Sequence, residues 1–344
     1  MLTEEIKVSV CVTAYNQEKY IAEALESVVN QQTTFPFEVI IHDDASTDRT
    51  PQIISEFAER YPSLFITILQ KQNQVSQGVN IDKAFILPKC RGKYLAFLEG
   101  DDYWLDSYKL QKQYDAMERQ PTSSICVHRV KLMDESGRQP DKLLPSQKKL
   151  TQETLISGTE YLHYQEYLFQ TGSYFFKTSV MKEFSEKGTK LAEHFNGDDC
   201  ILRWAIQKGT ILFLNETMSV YRTNVPNGWS TGYAKHSSEE RINYLKRSIQ
   251  AELLFNQESH FRYRSVIEGR ILSMILIANS YSHQETKALL QSYQTIVEPF
   301  TKRQPKNQFE KRVLISYKVY QFSPRLHKIM RRLNHLCQQL LADA

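Results

Sequence analysis

The sequence predicts an α/β fold, in which a mostly parallel β-sheet is flanked by helices and followed by an α-helical C-terminal appendage. Three observations predict it. Short, β-rich apolar segments alternate with amphipathic segments over about the first 130 residues, as in a parallel sheet with crossover helices. Polar residues cluster where those strands end. From Ser237 onward glycine becomes rare and apolar residues recur at helical spacing.

The first hundred residues contain four apolar segments of strand length. These predict strands at Lys7–Thr13, Phe37–His42, Leu64–Leu69 and Tyr94–Leu98. The connections and the segment after them predict helices over 21–29, from Thr50, over Asn80–Leu87 and over Tyr108–Arg119. Thr50 is predicted to cap the second helix, because Pro51 suits the first helical position.

The next hundred residues are more mixed. A strand at Ser124–Lys131 precedes a polar segment, 132–150, that is predicted to be a loop. A helix over Ile201–Gly209 and two short strands, Thr210–Leu214 and Met218–Tyr221, are predicted further on. We therefore divide the chain into an α/β domain over 1–236, with halves at 1–131 and 132–236, and a helical domain over 237–344.

Three of the predicted strands end in polar side chains. Thr13 and Tyr15 follow the first strand, Asp43-Asp44 the second and Asp101-Asp102 the fourth. Parallel sheets bind ligands outside the carboxyl ends of their strands, so these side chains should line one crevice. Adjacent carboxylates repel each other unless a cation compensates them, and a divalent metal with oxygen ligands does so. Taken alone, Gly-Asp-Asp is also compatible with a solvated turn.

Composition narrows the class of protein. The net charge is +4, and no apolar run is long enough for a transmembrane helix. No signal peptide is predicted, and five scattered cysteines without a CxxC pair indicate a reducing compartment without a zinc site. Residues 301–344 carry ten Lys/Arg and two acids. This basic end is compatible with an anionic membrane or nucleic acid, or with a solvated helix face.

Four motifs together resemble the family 2 glycosyltransferases of bacterial type, nucleotide-diphospho-sugar transferases with the GT-A fold. The resemblance covers roughly Lys7–Ser230. Val8–Asn16 resembles the family's opening strand and nucleotide loop, and Glu38–Thr50 resembles its "DDxSTDxT" segment. Gly92–Asp102 resembles its "GxYxxxLxxDD" strand, and Gly197–Gly209 resembles its "ED…L…KG" helix. The resemblance implies a GT-A fold whose first half binds the nucleotide sugar and whose second half binds the acceptor.

The resemblance also implies roles for single residues. Asp102 would hold a divalent cation, Mn²⁺ or Mg²⁺, and Asp198 would be the general base. The nucleotide would be bound by Thr13, Tyr15, Asp44, Lys83 and Asp101. Candidates for contacts with the diphosphate or acceptor are Asp199, Asn224, Trp229 and Ser230. Asp199 would also cap the helix. If the alignment with the family motif shifts by one residue, Asp199 would take the place of Asp198 as the general base.

The implied function is inverting transfer of a hexose, with galactose or glucose as the first expectation, from a UDP-sugar to a hydroxyl of a glycan acceptor. That acceptor could be lipid-linked, a polymer or borne on a protein, in polysaccharide or glycoprotein glycan synthesis. A cytoplasmic location is expected. The basic C-terminal helices could contact the inner face of the membrane, form a homodimer contact, or only pack against the transferase domain. No nucleic-acid partner is expected. The alternatives are a catalytically weak scaffold on the same fold, and a nucleotidyltransferase. The latter usually has a glycine-rich phosphate loop, which residues 13–17 lack.

Overall fold

The computed structural model describes residues 5–136, 142–146, 150–164, 169–188, 191, 193, 197–225 and 237–331, although not the side chains of 197 and 198. Its strands are β1 (Val8–Ala14), β2 (Phe37–Asp43), β3 (Phe65–Leu69), β4 (Tyr94–Glu99), β5 (Tyr103–Trp104), β6 (Ser123–Asp134), β7 (Lys142–Leu144), β8 (Thr154–Ile156), β9 (Phe175–Lys177) and β10 (Thr210–Thr223). Its α-helices are α1 (Ile21–Val29), α2 (Thr50–Arg60), α3 (Lys109–Arg119), α4 (Gly158–His163), α5 (Thr178–Lys187), α6 (Gly197–Lys208), α7 (Ser238–Glu258), α8 (Arg264–Ala278), α9 (His283–Ser292), α10 (Gln294–Lys302) and α11 (Gln308–Phe322).

These strands form one sheet in the order β3-β2-β1-β4-β9-β6-β10-β5, with β7 beside β6 and β8 beside β10. The first four strands in that order are all parallel, as predicted. Beyond β4 the sheet is mixed, because β9 runs antiparallel to both of its neighbours while β6 and β10 are parallel. The predicted α/β fold is confirmed, and its parallel part is the half that carries the three polar strand ends.

Burial explains why the first half folds as the pattern predicts. The side chains of β1 and β4 are buried over nearly their whole length, as expected for inner parallel strands. Helix α1 buries Ile21, Ala24, Leu25 and Val28, which recur at helical spacing and join the core under the sheet. Burial of each Ile, Leu or Val side chain contributes about 1.5–3 kcal/mol, so packing of α1 stabilises the sheet that carries the strand ends.

The start of α2 differs from the prediction. Thr50 is the first helical residue, and the preceding Arg49 makes no side-chain capping bond. The Thr50 hydroxyl instead accepts a hydrogen bond from the backbone N–H of Gln17 at 2.8 Å, while Asp48 accepts the N–H of Thr50 at 2.9 Å. The prediction of Thr50 as a cap was wrong, because its hydroxyl joins α2 to the loop after β1.

Three boundaries in the second half also differ. The two short strands predicted after α6 are one strand, β10, whose irregular register near the exposed Asn215 and Glu216 accommodates the polar interruption. Strand β6 continues to Asp134, and β7 lies within the predicted loop. Helix α6 begins at Gly197 rather than near Ile201, so Asp198 and Asp199 lie in its first turn instead of before it.

The chain forms two compact units. One comprises Met1–Ser157, Tyr167–Thr189 and Ile201–Gly228, and the other comprises Gly158–Glu166, Lys190–Cys200 and Trp229–Ala344. The second unit contains α4 and α7 to α11, which confirms the helical C-terminal region. Its buried ion pair joins Arg270 to Glu252 at 2.7 Å, and Arg270 also donates to the carbonyl groups of Leu162 and Tyr164. No helix in the described ranges is both long and apolar enough to cross a bilayer.

Candidate active site

The loops after β1 and β2 are joined by hydrogen bonds. Asn16 adopts a left-handed conformation, with φ 52°, and its backbone N–H donates to Ser46 Oγ at 2.8 Å. Its side-chain oxygen accepts the backbone N–H of Thr47 at 2.8 Å. Thr13 is half-buried at the end of β1, whereas Tyr15 is 49 % exposed beyond it. The two predicted nucleotide contacts therefore stand at the edge of a loop pair that is already ordered.

The two carboxylates after β2 have different partners. Asp43 accepts the backbone N–H of Ser46 at 3.0 Å and shapes its own loop. Asp44 is buried, and its two oxygens accept the backbone N–H groups of Gln74 at 2.7 Å and Val75 at 3.1 Å. Asp44 therefore fixes the loop after β3 to the end of β2. A carboxylate oxygen has two lone pairs, so each can accept a further hydrogen bond.

The turn after β4 brings acidic groups together. Oxygens of Glu99, Asp101 and Asp102 lie within 4.8 Å of one another. Gly100 suits this close packing, because an added Cβ would lie 3.2 Å from the Thr13 carbonyl oxygen and would displace the ends of the Gln17 and Ile21 side chains. The Gly100 N–H donates to that same carbonyl at 2.9 Å. The acidic turn is thus held directly against the end of β1.

Asp102 has one bonded and one unbonded carboxylate oxygen. Oδ1 accepts the backbone N–H of Arg222 at 2.8 Å. Oδ2 is fully buried and has no hydrogen-bond partner within the part of the chain that the structure describes. Burial, followed by the charges of Glu99 and Asp101, raises the pKa of Asp102 well above its ordinary range. Burial also raises the pKa of Asp101.

These groups fit a divalent cation. A buried carboxylate oxygen without a donor is costly, and a cation would compensate both this oxygen and the repulsion among the three carboxylates. All the available ligand atoms are carboxylate oxygens, which suit hard divalent cations such as Mg²⁺, Mn²⁺ or Ca²⁺. Bound there, the cation would neutralise developing negative charge on a leaving group.

Arg222 is the site residue that the sequence analysis did not single out. It lies near the end of β10 and is 6 % exposed, although it follows an apolar run in the sequence. Its guanidinium contacts the turn after β4, helix α1 and the residue after β6, through Asp101, Glu23 and Glu135. The sequence contains one signal for this role, an arginine within a β-rich segment. A buried arginine needs acceptor groups around its guanidinium, so such a position predicts contacts with other polar residues.

The remaining predicted residues are placed less completely. Lys83 is exposed on the short helical segment Asp82–Ile86. Asp199 is half-buried in the first turn of α6, where the helix dipole favours a carboxylate. The side chain of Asp198, together with Trp229 and Ser230, lies outside the described residues. Asn224, with φ 60°, donates from its side chain to Asp134 at 2.7 Å and so joins the ends of β10 and β6.

The fold is that of the GT-A transferases. The structure of residues 1–349 of TarS from S. aureus, solved in complex with UDP-GlcNAc, aligns with a TM-score of 0.56 over 91 % of this chain and 92 % of that chain, at 17 % sequence identity. A second TarS structure, in complex with UDP, aligns with a TM-score of 0.53 at 16 % identity over 91 % of each chain.

The family follows from the sequence. The family model described as "Glycosyl transferase family 2" matches residues 9–186. An uncharacterized protein of Mycobacterium tuberculosis, Rv1520, is 34 % identical over 290 residues, which cover 83 % of this chain and 79 % of the relative. TuaG of Bacillus subtilis, described as a putative teichuronic acid biosynthesis glycosyltransferase, is 31 % identical over 153 residues, covering 44 % of this chain and 58 % of TuaG. The chain belongs to glycosyl transferase family 2 and is a glycosyltransferase.

Proposed function

We propose that the chain transfers a hexose from a UDP-sugar to a hydroxyl group of a glycan acceptor, with inversion and with the help of a divalent cation. The observation that carries the proposal is the buried, unbonded Oδ2 of Asp102 within an acidic cluster at the end of β4. Asp102 would hold the cation, with Glu99 and Asp101 beside it. UDP-galactose and UDP-glucose are the first candidate donors, and UDP-GlcNAc is tested with them because TarS binds it.

The ordered strand ends would bind the nucleotide. Thr13 and Tyr15 would contact the base, and Asp44 would accept its N–H, using lone pairs that its two backbone bonds leave available. Asp101 would face the ribose, and Lys83 would meet a phosphate as a point charge. Because the loops carrying Thr13 and Asp44 are already joined by hydrogen bonds, nucleotide binding would need little further ordering.

Asp198 would act as the general base. Its carboxylate would take the proton of the acceptor hydroxyl while that oxygen forms a bond to the anomeric carbon of the donor. The bond between the anomeric carbon and the β-phosphate oxygen breaks with its electron pair, which leaves with UDP. One displacement inverts the anomeric centre, so an α-linked donor would give a β-glycoside. Asp199, Asn224, Trp229 and Ser230 are the proposed contacts with acceptor or diphosphate.

A donor-hydrolysis screen, with water in place of the acceptor hydroxyl, tests this assignment. Wild type is incubated with Mn²⁺ and each UDP-sugar in turn, beside the Asp198→Asn and Asp199→Asn variants, and released UDP is measured. We expect wild type to turn over one UDP-hexose, and Asp198→Asn to lose about 100-fold or more of that turnover with UDP binding retained. Asp199→Asn should lose less, because Asp199 is proposed as a contact with acceptor or diphosphate and not as the base. Equal turnover by Asp198→Asn contradicts the base assignment. Binding of UDP without turnover of any donor favours the scaffold alternative.

We also propose a cytoplasmic location, with the second unit contacting the inner membrane face. Cys11, Cys90, Cys126 and Cys200 are buried free thiols, in agreement with a reducing compartment. The basic apolar face, defined as the exposed side of α11 and of the helical residues 324–331, carries Ile315, Phe322, Leu326, Ile329 and Met330. Residues 311–331 contain six Lys/Arg and no acid, which matches anionic lipids.

A further inference from the structure

The guanidinium group of Arg222 makes two hydrogen bonds and one further ion-pair contact around the acidic turn. One Nη donates to the backbone carbonyl of Asp101, and the other donates to the carboxylate of Glu23 in α1. Nε lies 2.9 Å from a carboxylate oxygen of Glu135, which is an ion-pair contact without hydrogen-bond geometry. The fork thus reaches three chain segments that are distant in the sequence. This geometry requires a planar group with several donors, which lysine does not have.

Aromatic rings confine the same group. The guanidinium carbon lies 5.1 Å from the ring centre of Tyr20 and 4.7 Å from that of Tyr103. Both distances allow cation–π contact. The side chain of Arg222 is 5 % exposed. Its charge faces two carboxylates, those of Glu23 and Glu135, which offset part of the positive charge that Arg222 brings close to Asp101 and Asp102.

The backbone of Arg222 is tied to the cluster as well. Its N–H donates to Asp102 Oδ1 at 2.8 Å, which determines how the carboxylate is turned and leaves Oδ2 without a partner. The side chain holds the same residue against the carbonyl of Asp101. The strand end that orients Asp102 is therefore fastened to the acidic turn by the guanidinium of the same residue.

We infer that Arg222 is a positioning residue for the cation site: its guanidinium fixes the end of β10 against the turn after β4, so that Asp102 presents Oδ2 to the cation. The inference rests on the proposed function, in which Asp102 is the metal ligand. Groups that orient a ligand usually change metal affinity by about 10–100-fold when they are replaced, without contacting the metal.

The test compares Arg222→Lys with a matched control, Arg129→Lys. Arg129 is another buried arginine of the same unit; it bonds to the carbonyl groups of Pro145 and Leu150 and to Asn215, and has no contact with the acidic cluster among the described residues. Two quantities are measured: the Mn²⁺ concentration that half-saturates the protein, from the loss of the free Mn²⁺ EPR signal, and the UDP affinity at saturating Mn²⁺.

In Arg222→Lys we expect the half-saturating Mn²⁺ concentration to rise by about tenfold, while UDP affinity at saturating Mn²⁺ stays within about twofold of wild type. Arg129→Lys should lower the melting temperature without moving either quantity. If Arg222→Lys does not fold, Glu23→Gln replaces it, because Glu23 is 52 % exposed and the substitution removes the negative charge of one partner of the guanidinium. A rise of about threefold is expected.

An unchanged half-saturating Mn²⁺ concentration in the folded Arg222 or Glu23 variant overturns the inference, because Arg222 would then only stabilise the fold. The same shift in Arg129→Lys would also overturn it, since the effect would be one of general stability. Failure of wild type itself to bind Mn²⁺ would overturn the proposed cation site and this inference together. The two failures are distinguished by the wild-type titration alone.

Discussion

Replacement of Asp102 by asparagine should stabilise the metal-free protein while removing its response to Mn²⁺. Asparagine keeps an oxygen that accepts the N–H of Arg222, and it places an NH₂ donor where Oδ2 lies beside Glu99 and Asp101. At separations within 4.8 Å, repulsion between two ionised carboxylates costs about 3 kcal/mol per pair at an effective dielectric constant near 20. The raised pKa of Asp102 lets a proton relieve part of this cost.

We therefore expect Asp102→Asn to raise the free energy of unfolding by about 1–3 kcal/mol in EDTA, or the melting temperature by roughly 2–10 °C. Wild type should gain about 2.7 kcal/mol when UDP is added with saturating Mn²⁺ at about 100 times the dissociation constant of UDP under those conditions, whereas the variant should gain less. Differential scanning fluorimetry in EDTA and in Mn²⁺ with UDP measures both effects on the same samples.

Two controls separate charge from other causes. Asp102→Ala removes the charge and also the acceptor of the Arg222 N–H, so it should be less stable than Asp102→Asn by about 1–3 kcal/mol. Asp115→Asn changes an exposed carboxylate that pairs with Gln111 in α3, and it should alter neither melting curve. If Asp102→Asn melts below wild type in EDTA and still responds fully to Mn²⁺, the acidic cluster is not a cation site.

Two further predictions concern other parts of the chain. Burial lowers the pKa of Lys109 from 10.5 to about 7. Between about pH 7 and pH 10.5, Lys109 is therefore protonated in the unfolded chain and neutral in the folded chain, so the free energy of unfolding rises with pH. Relative to Lys109→Met, wild type should gain roughly 2–3 kcal/mol of unfolding free energy from about pH 6 to about pH 9; a parallel pair of curves would contradict this. For the basic apolar face, Phe322→Ser with Ile329→Ser should lower binding to phosphatidylglycerol vesicles about tenfold, whereas Leu105→Ser, which changes an exposed apolar residue outside that face, should not. Dimerisation without vesicle binding would contradict the membrane proposal.

The first half of the fold was predictable because its signals are local. Alternation of buried strands and amphipathic helices depends on spacing within each segment, and the parallel order then brings Thr13, Asp44 and Asp102 to one edge of the sheet. In the second half, the sequence predicts two strands in place of β10, because the polar pair Asn215-Glu216 interrupts the apolar pattern. In the structure, β10 pairs with β6 on both sides of this interruption and is therefore one strand. Such pairing depends on a distant segment and not on the local sequence.

The same distinction applies to the site. The sequence predicts the acidic pair Asp101-Asp102. It does not predict that one Asp102 oxygen is hydrogen-bonded and the other is not, because the donor is the backbone N–H of Arg222, 120 residues away. Thr50 looked like a helix cap because of Pro51, yet its hydroxyl bonds to Gln17 in another loop. Contacts between distant segments decided each of these cases, and composition and spacing carry little information about them.

In the proposed function, this family 2 glycosyltransferase binds its nucleotide through a divalent cation held by Asp102. The most direct measurement is a calorimetric titration of UDP into wild type, first with Mn²⁺ and then with EDTA. The proposed function predicts binding in Mn²⁺ and a loss of affinity of about 10-fold or more in EDTA, with Asp102→Asn behaving in Mn²⁺ as wild type does in EDTA. Equal UDP affinity of wild type under the two conditions would contradict the cation site.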